Sequence, residues 1–179
     1  MNLHRTAARA ALALPFLLLA GAAGAQQGSD AAYIKKVGTA APPGIVQNAT
    51  IVKMANGTMQ TLKQGTNGFT CMVLGGGTPM CGDTGAMEWA HAWQSHAAPP
   101  DKVGFMYMLA GDTGVSNTDP YAEKPQAGNH WVKTGPHVMI LGPAVKVMAG
   151  YPRSPDPNTK EAYVMWAGTP YEHLMIPVK

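Results

Sequence analysis

The chain reads as an α+β protein: a mainly antiparallel β-sheet with one principal α-helix packed on it, in a single domain. Three observations carry that expectation. Strand-sized apolar runs come in series, at ATIVKMA, TMQTLK, VGFMYMLA, HVMILG, YVMWAG and HLMIPV, separated by Gly, Pro and Asn clusters. The first two flank Asn56-Gly57, the dipeptide that favours a two-residue hairpin because both central residues need φ > 0. Only Thr84 to His96 shows a clear helical period. Strands that follow one another, rather than alternating with helices, favour antiparallel pairing over βαβ units.

Residues 1–25 have a basic start at Arg5 and Arg9, an apolar run centred on LALPFLLLA, and the small-residue stretch GAAGA ending at Ala25. That is the pattern of a secretory signal peptide with cleavage after Ala25, too short and, with Pro15, too interrupted for a stable membrane span. The expected product is a soluble periplasmic or secreted protein with no transmembrane segment in the mature chain. Of 13 Lys and Arg, the leader holds Arg5 and Arg9, leaving 11 against 10 acidic residues. A balance this even gives nucleic-acid binding no electrostatic support.

Residues 26–44 contain Gly, Ala, Ser and a Pro42-Pro43 pair, with Tyr33, Ile34 and Val37 as the only apolar anchors. They are expected to form a loosely ordered lead-in to a single domain over 45–179. The hairpin at Asn56-Gly57 and a third strand near Gly68 to Leu74 predict an antiparallel meander. Cys71 and Cys81, the only cysteines, enclose MVLGGGTPM, whose glycines can take the angles a tight loop needs. In an oxidising compartment the expected state is one disulfide, worth about 2 to 3 kcal/mol through loop closure. A redox pair is more often spaced C-x-x-C.

Asp83 or Thr84 can cap the helix, and Trp89, Trp93 and His96 recur along one face. After the VGFMYMLA strand comes a long turn-rich connection, GDTGVSNTDPYAEKPQAGNH, of the length that often carries function. Its Asp119 and Tyr121 form a secondary candidate site. SNTDPYA lacks calcium-loop spacing and reads as turn chemistry. The Asp-Thr-Gly triplets at Asp83 and Asp112 are read as helix cap and turn, since 29 residues are too few to give each a protease lobe. PAVKVMAGYP fits either a short helix or a strand.

Two C-terminal segments look like copies: WVKTGPHVMI, with Trp131, Thr134, Pro136, His137 and Met139, and WAGTPYEHLMI, with Trp166, Thr169, Pro170, His173 and Met175. Strand alternation places His137 with Met139 and His173 with Met175. If the copies are neighbouring strands, the four residues form a candidate metal site, and imidazole plus thioether suits copper. An alternative uses the histidines for acid-base catalysis, with partners from other strands because Glu172 and His173 alternate faces. A third reading makes the methionines core filler and the histidines hydrogen-bonded strand-entrance residues.

Together PMCGDTGAMEWAHAW, SNTDPYAEKP, WVKTGPHVMILGP and YVMWAGTPYEHLMIPV resemble segments of a family of small exported bacterial proteins of unknown function. The resemblance spans about Gly68 to Val178, implies a single secreted domain, and carries over no catalytic residue. The functional expectation is an exported binding or structural module with an unknown small ligand or periplasmic protein as partner. Copper-type metal binding and His-based catalysis are the alternatives, and whether the protein is an enzyme is left open.

Overall fold

The computed structural model describes residues 20–178. Most of the expected signal peptide, residues 1–19, lies outside the described residues. Eight strands form one sheet in the order β2-β1-β3-β4-β5-β8-β10-β9. They are β1 Thr50–Ala55, β2 Thr58–Lys63, β3 Thr70–Val73, β4 Pro79–Gly82, β5 Gly104–Met108, β8 His137–Leu141, β9 Tyr163–Met165 and β10 His173–Pro177. A two-stranded ribbon, β6 Val115–Ser116 with β7 Trp131–Val132, stands in the long connection.

The architecture is mainly antiparallel β with some helix in one domain. Among the described residues there are three helices rather than one principal helix: α1 Ala20–Val37, α2 Pro43–Val46 and α3 Thr84–Gln94. The expected loose lead-in is therefore largely helical, and α1 runs across the expected cleavage point. Its Tyr33 explains the order: the hydroxyl donates to the Val52 carbonyl and accepts from the Val73 amide, clamping α1 to β1 and β3. None of these helices is long and apolar enough to cross a membrane.

The hairpin forms at Asn56-Gly57, with Ala55 opposite Thr58 and both turn residues at positive φ. The meander does not continue. β3 runs parallel to β1, with Thr50 opposite Thr70, because the chain after β2 crosses back before re-entering the sheet. β3 then turns tightly into β4 through Gly76 and Gly77, both at positive φ. This register places Cys71 directly opposite Cys81, and the disulfide forms.

Alternation divides the sheet residues between two faces. Ile51, Cys71 and Cys81 pack with Val37, Ala40 and Ala41 on the α1 side, while Val145, Val164 and Leu174 extend that layer beside the 3₁₀ turn Pro143–Val147. The opposite face carries Met72, Met80, Met106, Met108, Met139, Met165 and Met175 beneath α3. Asp83 caps α3 by accepting from the Ala86 amide, and Ala86, Trp89 and Ala92 are its buried residues. Burying a side chain the size of Trp89 contributes roughly 3 kcal/mol or more. The helix approaches β5 at Gly104, where any Cβ would overlap the Ala86 backbone nitrogen. That close approach fixes how deeply α3 sits on the methionine face.

A candidate binding cavity beneath helix α3

β5, β8 and β10 lie side by side, so their methionines line up across strands. Met106 is opposite Met139, and Met139 is opposite Met175. One step further along, Met108 is opposite His137. Directly opposed residues on one face have Cβ atoms about 4.5–5.5 Å apart. Met106, Met108, His137 and Met139 therefore make a two-by-two block on the inner face. α3 and the Trp166 turn roof this block incompletely, leaving a cavity of about 360 Å³. Its floor is buried, including Met80, Met106, Met139, Met175 and His137, whereas Gly75, Gln94 and Thr113 at its rim are exposed.

His137 is 1% exposed, and its Nδ1–H donates to the Gly135 carbonyl at 2.7 Å. A carbonyl can only accept, so in the neutral ring Nε2 holds the lone pair. That atom is buried and has no hydrogen-bond partner among the described residues. Burial holds the imidazole below its ordinary pKa against the opposing effects of Gly135 and Asp112, and so favours the neutral ring. Asp112 also lines the cavity; burial raises its carboxyl, while amides of Thr134 and Gly114 and the nearby His137 oppose that rise. Thr134 in turn shares a 2.7 Å hydrogen bond with the Tyr163 hydroxyl, which burial pushes up to about 12.

His173 repeats the local geometry, donating Nδ1–H to the Tyr171 carbonyl two residues earlier at 3.0 Å. It is fully enclosed, and burial lowers its pKa to about 4. The two copies are neighbouring strands and all four repeat residues share one face. They do not converge as a single ligand set. With Met175 opposite Met139, His173 falls opposite the Leu141 position, four residues along from His137, on the order of 13 Å by strand rise. His173 instead meets Trp89 and Trp166 edge-on, at ring-centroid distances of 5.3 and 4.9 Å.

Those indoles form the aromatic wall. Trp89 and Trp166 stack at 6.0 Å, and Trp93 lies 5.4 Å from Trp166. Trp166 Nε1 donates to the Ser116 carbonyl and Trp93 Nε1 to that of Pro120, but Trp89 Nε1 is buried without a partner among the described residues. Trp166 also sits at φ 55°, a left-handed conformation costly for a bulky residue and held by the hydrogen bond its backbone N–H donates to the Asn117 carbonyl.

The secondary candidates lie elsewhere. Asp119 accepts from the Tyr121 amide in a local turn, and the Tyr121 hydroxyl donates to the Trp93 carbonyl. Both line a surface cleft of about 500 Å³ in the long connection. His96, expected on the packed face of the helix, lies beyond its end at positive φ, exposed and stacked on Tyr121 at 4.0 Å. Glu172 is ion-paired to Arg153 at 2.6 Å. The sequence points to the Met106-x-Met108 pair beside the metal reading and to Asp112 beside the acid-base one, and the cavity lining contains all three; Met80 and Trp89 carry no site signal in the sequence and line it as well.

Among the described residues no group of three or more His, Cys, Asp or Glu is placed to hold a metal ion. Imidazole and thioether are the soft donors in the lining of this cavity, beside the one carboxylate of Asp112. The fold and site thus define a mainly antiparallel β domain with a helix-roofed, soft-donor cavity. Comparisons with protein-family models, curated proteins and solved structures gave no match.

Proposed function

We propose that this chain is an exported binding module that takes a small ligand into the cavity between α3 and the methionine face. The observation that carries this reading is His137 Nε2: a buried lone pair without a partner, on a ring fixed by its other nitrogen. A buried acceptor left unsatisfied costs about 1 to 3 kcal/mol, so a ligand that engages it regains that energy. The wall chemistry restricts the ligand to something compact and largely apolar or polarizable. The acid-base alternative has weaker support, because among the described residues neither His137 nor His173 hydrogen-bonds a carboxylate or a tyrosine hydroxyl, each ring being tied to a backbone carbonyl instead; His130 bonds Asp156, but on an exposed loop.

A structural role, with methionines acting as flexible filler, predicts that the side chains close the space in solution. Methyl-¹³C-methionine NMR under xenon pressure separates the two. Binding predicts that xenon shifts the Met106, Met108, Met139 and Met175 methyls and leaves Met54 and Met59, exposed on the β1–β2 hairpin, unchanged. Unshifted cavity methyls at saturating pressure would remove the binding reading in favour of the structural one.

A further inference from the structure

Resting on that binding reading, we propose that the cavity is a monovalent copper site, with Cu(I) held by His137 Nε2 and the thioethers of Met108, Met139 and Met106. The placement is specific. The four residues form the two-by-two block on β5 and β8, and all line the cavity. Unbranched methionine side chains have the freedom to direct their sulfurs to one point above such a block. His137 has the arrangement metal-ligating histidines use, in which one ring N–H donates to a backbone carbonyl and the other nitrogen offers its lone pair.

The donor chemistry selects the ion. Both cysteines are consumed in the disulfide, so thioether and imidazole are the soft donors the cavity can present. Among the described residues the cavity lining has one carboxylate, Asp112, and one imidazole, His137, short of the several carboxylates or three histidines that divalent ions with those preferences take. Thioether sulfur favours Cu(I) instead. Charge also fits: a monocation in an apolar cavity needs a counter-charge, and Asp112 lines the same cavity while its oxygens accept backbone amides. Binding balances without electron transfer, because Cu(I) enters and leaves in one oxidation state.

The test is an anaerobic titration of the mature, disulfide-bonded protein with Cu(I), followed by methionine-methyl NMR and by competition against bicinchoninate, with Ag(I) as a redox-inert probe. The expected result is one equivalent of metal, shifts confined to the cavity methyls, and loss of the His137 Nε2 lone-pair signature in ¹⁵N spectra. Met108→Leu with Met139→Leu keeps volume and hydrophobicity, so the fold should persist; Cu(I) affinity should fall at least ~100-fold, since losing a group that merely orients a metal ligand already costs about 10- to 100-fold. His137→Leu should do likewise, while Met54→Leu with Met59→Leu should change nothing. Xenon entry without metal-induced shifts of the cavity methyls would overturn the copper site and leave the binding module standing. Exclusion of both probes would overturn both. Metal uptake that survives the Met108 and Met139 replacements and disappears with Met54 and Met59 would place it on the surface hairpin and overturn the proposal.

Discussion

Lowering the pH should unfold this domain through its two buried histidines, and His173 allows the size to be worked out. Its folded pKa is held near 4 by burial, against about 6.5 when exposed. A histidine whose folded pKa is depressed contributes stability that is fully present above the unfolded value and is lost as pH falls from 6.5 toward 4, because the unfolded chain takes up the proton first. At pH 4.5 the loss attributable to His173 is about 2 to 3 kcal/mol, a large part of a small domain's total stability. His137 is shifted in the same direction and adds to the loss; Asp112, a carboxyl raised by burial, works in the opposite direction as its own range is reached. The isolating assay is urea unfolding of wild type and His173→Leu at pH 7 and pH 4.5. Wild type should lose about 2 to 3 kcal/mol more than the variant across that interval, since the remaining carboxylates cancel in the difference. Equal losses would mean that His173 is hydrated or already charged in the folded state, and the enclosure by Trp89 and Trp166 would be wrong.

Replacing both Cys71 and Cys81 by Ala should lower stability by about 2 to 3 kcal/mol in denaturant titrations, because the ten-residue separation sets the loop entropy removed from the unfolded chain. Gly104→Ala should cost about 1 to 3 kcal/mol and lift α3 from β5, seen as a red shift of tryptophan emission, since a Cβ there overlaps the Ala86 backbone. Under limited peroxide, peptide mapping should find Met54 and Met59 oxidised well before Met80, Met139 or Met175; the first two are 54% and 52% exposed and the others nearly enclosed.

Much of the sheet was legible because its strands alternate. HVMIL and HLMIP declare their faces, and the Asn56-Gly57 turn fixes one hairpin from two residues. The α3 cap at Asp83 was equally readable, being local chemistry. Non-local pairing was not. Nothing near Thr70 says that β3 will lie parallel to β1, and β4, only Pro79–Gly82, is too short and too glycine- and proline-rich to carry a period. The lead-in was misread because its order comes from distant partners: Tyr33 is tied to Val52 and Val73, an effect of packing rather than of helix propensity.

The candidate site divides the same way. The repeat correctly put His137 and Met139 on one face with Met175, since period and adjacency follow from alternation. It could not reveal the register that separates the two histidines by four residues, nor the β5 strand that supplies Met106 and Met108. A one- or two-residue change in register alters which donors meet, and register is set by the whole sheet. Asp112 looked like a turn residue and is one, its carboxylate accepting from Gly114; its place in the cavity lining goes with a second, distant bond, from the Thr134 amide, which no local pattern shows.

The central claim rests on one atom, so the most direct measurement is the electron density beside His137 Nε2 in crystals of the protein isolated from the cells that make it, with anomalous data across the copper edge. The account predicts an occupant bonded to Nε2 between α3 and the methionine block. A single water bonded to that nitrogen, or methionine side chains collapsed onto the ring with no cavity left, would contradict it.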